Sequence, residues 1–265
     1  MQFPPSPHIA HIVRHYLVLR GAMPGEAVHR LFADGNTGIV FNLAGTGIRL
    51  TGKPMQTEPC WLYGQLSSYQ DFSLSGTIDW IVVVLHPYAA HQLWQMPATE
   101  WKDHFFPAKE VLGPVVDNIC IGLSKAATVQ DRIDLLDRWI FHFSGNGKQT
   151  DPLLQQAIQQ INASEGALSV HSLLQQLRVS ERMLERKFKL TIGLSPKQYS
   201  GIVRMNASAK KLKRFQDQES LTSIAYEADF FDQAHFIRDF RKYTGITPWQ
   251  YQHTVDPLAL NFLRF

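Results

Sequence analysis

Ser180–Pro196 reads SERMLERKFKLTIGLSP, and the chain says something close to it again at Asp232–Pro248, DQAHFIRDFRKYTGITP. At this offset of 52 residues (232 − 180) Leu184 aligns with Phe236, Arg186 with Arg238, Phe188 with Phe240 and Lys189 with Arg241. Gly193 then aligns with Gly245, and Ser195–Pro196 with Thr247–Pro248. A fixed-offset recurrence of apolar, basic, Gly and Pro positions means two copies of one structural unit. Each copy reads as a helix with a Ser or Asp N-cap, apolar residues four apart, basic residues late, and Gly as its C-terminal stop.

A shorter apolar-periodic segment precedes each copy: Val170, Leu173, Leu174 and Leu177 before the first, Leu221, Ile224, Ala225 and Ala228 before the second. Helix, tight turn, second helix is the outline of a helix-turn-helix unit, whose second helix enters the DNA major groove; it is also the outline of any αα-hairpin. The turns are Arg178-Val179-Ser180 and Asp229-Phe230-Phe231-Asp232, the latter one residue longer. Between the copies, PKQYSGIVRMNASAKKLKRF (Pro196–Phe215) predicts a connecting helix with Pro in its first turn and a broad apolar face of Tyr199, Ile202, Val203, Met205, Ala209 and Leu212. Some 20 helical residues span roughly 30 Å, close to the ~34 Å repeat at which paired recognition helices meet successive major grooves.

Charge is concentrated in the same place. From Ser180 to Arg214 ten basic residues stand against Glu181 and Glu185, a net +8, whereas the whole chain carries +3, so the remainder sums to −5. A basic helix can be simply a solvated face; the concentration on one reading helix and the connecting helix fits a phosphate-facing surface better. The second copy has nearby acids to offset its Arg and Lys, which predicts weaker or conditional contact.

These residues identify a resemblance to the arabinose-regulator (AraC/XylS) family of bacterial transcription factors, over roughly 153–252. It is carried by Ser180-x-x-x-Leu184-x-Arg186-x-Phe188-Lys189, Gly193-x-Ser195-Pro196, Ile224-Ala225-Tyr226-Glu227 and Phe236-x-Arg238-x-Phe240-Arg241-Lys242-Tyr243-x-Gly245-x-x-Pro248. The resemblance implies seven helices bearing two helix-turn-helix units and, as partner, double-stranded DNA. Three positions depart from the family pattern: Asp229 and Arg178 stand where the turns usually have Gly, and Leu174 replaces a common Ala. Neither Asp nor Arg takes positive φ as easily as Gly, so strained or shifted turns are expected.

The 265 residues and 45% hydrophobic composition allow two domains with buried cores. No signal segment opens the chain and no apolar run approaches the length of a membrane span; Cys60 and Cys120 make no disulfide framework. A cytoplasmic protein fits. After Pro-rich FPPSPH, Ile9–Leu19 carries His11 and His15, which with His8 would share a face if the segment were helical; without carboxylate or Cys no metal is assigned. Strands are predicted at 28–32, 38–43, 48–50, 60–63, 69–74 and 80–85, broken at Asp34-Gly35-Asn36, Gly45-Thr46-Gly47, Gly52 and Ser75-Gly76, the pattern of a sandwich or small barrel. Helices follow at 89–94, 114–124 and 132–143. In the last, Ile133, Leu136, Ile140 and Phe143 have the spacing of a helix-pairing seam, open either to packing on the sheet or to a homodimer. Ser144–Lys148 reads as a linker.

The N-terminal half also resembles the sensor domain of one branch of AraC-type regulators, over about 5–112, through Asp34-Gly35, Gly38–Asn42, Gly64-Gln65 and Leu85–Ala90 with Leu93 following. That implies a cupin-like β-domain that binds a small effector or mediates dimerisation. Metal-binding cupins carry paired His with Glu; no H-x-H occurs here, which argues against a metal-dependent enzyme. No dinucleotide fingerprint, phosphate-binding loop or nucleophile elbow is present either, and no cofactor is assigned.

The expectation is therefore an α+β multidomain regulator and not an enzyme: a β-rich cupin-like sandwich or barrel with flanking helices over 1–145, an all-α double helix-turn-helix domain over 150–253, and a tail over 254–265. Base-reading candidates are Arg182, Glu185 and Arg186, with Met183, Leu184 and Phe188 facing inward or partly so, and Gln233, His235, Ile237, Arg238 and Arg241 in the second unit. Phosphate candidates are Lys189, Lys197, Arg204, Lys210 and Lys211. An effector pocket would be lined by Phe41, Trp61, Tyr63, Phe72 and Trp80, which are equally suited to plain core. The competing class is a ligand-sensing protein whose helical half binds protein rather than DNA.

Overall fold

Apolar alternation in the first third of the chain and 3.6-residue periodicity in the last third translate into a sheet and a helical array. The computed structural model describes residues 1–51, 55–145, 151–214, 221–253 and 259–264. Contacts divide it into two bodies: Met1–Ala27, Asn36–Gln65 and Phe72–Thr150 form the first, and Val28–Gly35, Leu66–Asp71 and Asp151–Phe265 the second.

The N-terminal sheet is built from β1 (Gln2–Phe3), β2 (Val13–Leu31), β3 (Thr37–Asn42), β4 (Ile48–Leu50), β5 (Cys60–Tyr63), β6 (Gln70–Leu85) and β7 (Phe105–Pro107). The strand order is β1-β2-β6-β3-β5-β7, with β4 also on β6. β3 is central, antiparallel to β6 from Thr37↔Leu85 to Asn42↔Trp80 and to β5 from Gly38↔Tyr63 to Phe41↔Cys60. Its glycine is required there: a Cβ on Gly38 would lie 2.6 Å from the Tyr63 ring and collide with the Val83 carbonyl. Ile81–Leu85 is buried throughout, as an uninterrupted apolar run in a sheet covered on both faces should be.

Four helices complete this body: α1 (Ala89–Trp94), α2 (Ala108–Leu112), α3 (Val115–Lys125) and α4 (Val129–Ser144). α4 starts at a reciprocal cap, Thr128 Oγ1 accepting from Asp131 N while Asp131 accepts from Thr128 N. Of its seam residues, Ile133, Leu136 and Ile140 are 0–2% exposed and Phe143 is half-buried. On the same helix Asp137 accepts from Tyr16 Oη at 2.5 Å and from Ser6 N at 2.9 Å. Burial, with the Asp137 carboxylate beside it, raises the Tyr16 pKa far above the ordinary phenol value.

Two expectations are corrected here. Val13–Leu31 is one long strand, so His15 lies on a strand and the helical face shared by His8, His11 and His15 does not form; alternation of half-buried His15 and Leu17 with buried Tyr16 and Val18 is the signal of that strand. Ser75-Gly76 does not end a strand either. β6 runs through Gly76 at φ +91°, with Ser75–Thr77 exposed, because glycine lets a strand continue through a local irregularity. The expected break at Gly52 and most of the linker 144–148 lie outside the described residues.

The second body holds α5 (Pro152–Ala163), α6 (Val170–Leu177), α7 (Glu181–Thr191), α8 (Pro196–Arg214), α9 (Leu221–Glu227), α10 (Gln233–Thr244) and α11 (Pro248–His253). α8 is the hub, packing on α5, α7, α9, α10 and α11. Two early stretches of sequence belong to this body. Phe32 is fully buried with its ring edge-on to Tyr251 at 6.1 Å, and Asn206 Nδ2 donates to the Ala33 carbonyl at 3.0 Å. A short strand, β8 (Phe262–Arg264), pairs antiparallel with His29–Leu31, and Arg30 forms a fork-on-fork pair with Asp71 at 2.6 and 2.7 Å while lying 4.1 Å over the Tyr69 ring.

Candidate nucleic-acid interface

In the first unit, α6 leads through Arg178 at φ +54° into α7, whose cap is Ser180 Oγ accepting from Met183 N. The second unit repeats this: α9, Asp229 at φ +57°, then α10 capped by Asp232, which accepts from His235 N at 2.6 Å. Both left-handed positions are non-glycine, as the departures from the family pattern foreshadowed, and such backbone stores strain. Both helices stop at a glycine with positive φ, Gly193 at +84° and Gly245 at +73°.

The inward faces are alike. Leu184 and Phe188 are fully buried on α7, as are Phe236 and Phe240 on α10, with Phe188 edge-on to Tyr199 of α8 at 6.1 Å and Phe240 edge-on to Tyr251 of α11 at 5.5 Å. Both helices pack on α8. That packing fixes which residues point outward: Arg182, Arg186 and Lys189 on α7, and Arg238, Arg241 and Lys242 on α10, all exposed. Glu185 is half-buried, 4.0 Å from Lys189. Met183, expected to turn inward or partly so, is 41% exposed.

The other candidates of the second unit are tied down locally. Gln233 Oε1 accepts from Thr222 Oγ1 at 2.9 Å, linking α9 to α10. His235 lies 3.4 Å from Asp239 and edge-on to Phe230 at 5.4 Å, and Ile237 is half-buried. Sequence reasoning passed over two neighbours: Phe231, 86% exposed in the turn before α10, and Tyr226, 65% exposed at the end of α9. A turn residue in an apolar-rich segment reads as core from its type alone; only the path of the chain shows that Phe230 fills the core and Phe231 faces water.

The phosphate candidates divide into two groups. Lys189, Lys197 and Lys210 are exposed. Arg204 instead lies 4.5 Å over the Phe230 ring, donates to the Asp229 carbonyl at 3.3 Å and approaches Asp239 at 3.9 Å. Lys211 sits between Glu165 at 3.6 Å and Glu227 at 3.7 Å. Lys187 is paired with Asp151 at the cap of α5. Part of the local +8 is therefore neutralised within the fold.

Phe41, Trp61, Tyr63, Phe72 and Trp80, the expected lining of an effector pocket, are 0–8% exposed. The indoles are satisfied internally, Trp61 by the Glu58 carbonyl at 3.0 Å and Trp80 by Asn42 at 3.1 Å; Phe41 is edge-on to Trp139, and Tyr63 stacks on Phe105.

Two stretches of the chain match known families. Residues 1–107 match a family described as a domain of unknown function (DUF6597), and residues 173–254 match the helix-turn-helix domain family. The chain is 28% identical over 148 residues to the HTH-type transcriptional regulator ArgR of Pseudomonas aeruginosa, covering 56% of this chain and 41% of that one. It is 25% identical over 194 residues to an uncharacterized HTH-type transcriptional regulator of Haemophilus influenzae, covering 73% and 62%. It thus spans between two-fifths and two-thirds of these relatives. Among solved structures it is similar to ToxT of Vibrio cholerae bound to an unsaturated fatty acid, with a TM-score of 0.51 at 15% identity over 89% of this chain and 94% of that one. That likeness is one of fold, a β-rich N-terminal part ahead of a helical C-terminal part.

Proposed function

We propose, from the AraC/XylS-type helix-turn-helix domain in the C-terminal half, that this chain is a sequence-specific DNA-binding transcriptional regulator with α7 and α10 as its reading helices. The observation that carries the reading is the duplicated unit itself: two capped helices packed on α8, each with a buried Leu/Phe or Phe/Phe pair and each presenting exposed arginines, Arg182 and Arg186 or Arg238 and Arg241. Arginine reads guanine through O6 and N7, and one turn of helix separates the members of the first pair, so both address the same groove. Lys189, Lys197 and Lys210 are the phosphate contacts; Arg204 and Lys211 act chiefly within the protein. Phe231, Met183 and Tyr226 add apolar contact of the kind thymine methyl groups receive. α8, with 19 residues, is about 28 Å long, a length suited to two units on one duplex.

The sensor or dimerisation part is assigned to 1–145, the DNA-binding part to 150–253 and a tail to 254–265. A small effector acting through the first part would alter how the reading helices are presented. A homodimer through 132–143 would have to use the outer face of α4, where Phe141 is 53% exposed, since Ile133, Leu136 and Ile140 are buried. The protein is read as a cytoplasmic regulator with no catalytic step; among the described residues no helix is long and apolar enough to cross a membrane.

Selection of binding sites from a random duplex library with the purified chain tests the reading. Enrichment of a motif whose binding weakens steeply with salt is expected. Enrichment of no motif, with binding to random duplex absent at low salt, would favour a protein partner for the helical half.

A further inference from the structure

Trp94, at the end of α1, and Trp101, just after the 3-10 turn Ala98–Glu100, stack with ring centroids 4.9 Å apart and planes inclined by 16°. Phe106 stands edge-on to Trp101 at 5.5 Å. These three rings, with Phe143 of α4 and the aliphatic Met96 and Val111, line a cavity of about 480 Å³ in the N-terminal body. That volume lies inside the range of small-molecule sites. The wall carries one charged side chain, Glu110 of α2, and neither Lys nor Arg. Lys109, next to it in sequence, is engaged with Asp117 at 2.7 Å.

A second observation marks the stacked pair. The indole N–H groups of both Trp94 and Trp101 are buried without a hydrogen-bond partner among the described residues, whereas those of Trp61 and Trp80 have acceptors. Buried polar groups are rarely left unpaired in a native fold. Two on adjacent rings of one cavity wall indicate a place where stability has been given up.

We propose that this cavity is the effector site, and that its ligand is a small organic cation: an amine on an aryl or alkyl body. Indole faces attract cations more strongly than other aromatic faces do. The Glu110 carboxylate complements an ammonium group at the rim, and the same carboxylate, with no basic side chain on the wall, disfavours anions. The proposal rests on the reading of 1–145 as a sensor, and it places the site away from Phe41, Trp61, Tyr63, Phe72 and Trp80.

The test titrates the full chain with three matched compounds, 4-methoxyphenethylamine, 4-methoxyphenethyl alcohol and 3-(4-methoxyphenyl)propionate, by calorimetry and tryptophan fluorescence. Saturable binding of the amine is expected, at least about threefold tighter than the alcohol, with no saturable binding of the carboxylate. Glu110→Gln, a change at an exposed position, should remove the preference for amine over alcohol, and Trp94→Ala should weaken both. No saturable binding of the amine, equal binding of the carboxylate, or an unchanged preference in Glu110→Gln would overturn the proposed ligand class. The affinity for the selected duplex is measured in the same titration. Amine binding that leaves DNA affinity unchanged would overturn effector control while the ligand class stands.

Discussion

Arg186 and Lys211 carry the same charge on neighbouring helices, and the structure assigns them opposite fates. Arg186 is exposed on α7, while Lys211 sits between two glutamates. Arg186→Ala should weaken binding to the selected site by about 1–3 kcal/mol and relax base preference at one position, measured by titration against matched and substituted duplexes. Equal weakening on every sequence would make it a phosphate contact instead. Lys210→Ala should lower the salt slope of binding by about one without altering base preference, whereas Lys211→Ala should leave the slope nearly unchanged. A pH effect belongs at this scale too. His86 donates to the Ala10 carbonyl at 3.1 Å and stacks on Tyr88, and its burial lowers its pKa from the ordinary value. The unfolded chain therefore binds a proton at His86 more readily, so stability is full above about pH 6.5 and falls as pH drops below that unfolded value. A denaturant titration series between pH 7.5 and about pH 5.5, above the carboxylate range, should show this fall, and His86→Gln should flatten it.

At the scale of elements, the two units differ most at their turns. Arg178 and Asp229 both hold positive φ, where an L-residue is disfavoured by about 1–2 kcal/mol and glycine is not. Since glycine adds entropy to the unfolded chain, Asp229→Gly should stabilise the second body by about 0.5–1 kcal/mol, and Asp229→Val should destabilise it; thermal unfolding reads both. Asp232→Ala removes the bond to His235 N and should cost about 1 kcal/mol. These helices were legible in the sequence because cap, apolar spacing and terminal glycine agreed at each. β2 was not, since a run with His, Arg and Tyr among its apolar residues satisfies helix and strand patterns alike until a partner strand selects one. Nor was the paired Trp94–Trp101 wall, which forms only when the end of α1 meets the 3-10 turn that follows it.

For the whole molecule, the sequence order and the packing order diverge. Val28–Gly35 and Leu66–Asp71 belong to the second body, which a composition-based boundary near residue 145 does not reveal. A 151–265 fragment would lack Phe32 against Tyr251 and the strand partner of β8, so it should unfold at a lower temperature than the same helices in the full chain; equal melting would show those contacts to be dispensable. The double helix-turn-helix arrangement was readable from the repeat, while the lining of an effector pocket was not, because aromatic residues on central strands look the same whether they line a cavity or fill a core. On the proposed function, both reading helices engage one duplex. Hydroxyl-radical footprinting of the full chain on its selected site tests it most directly. Two protected segments on one face of the DNA are expected, about one helical turn apart, with the α10 segment vanishing in Arg238→Ala/Arg241→Ala; a single protected segment unchanged by those substitutions would show that only one helix is engaged.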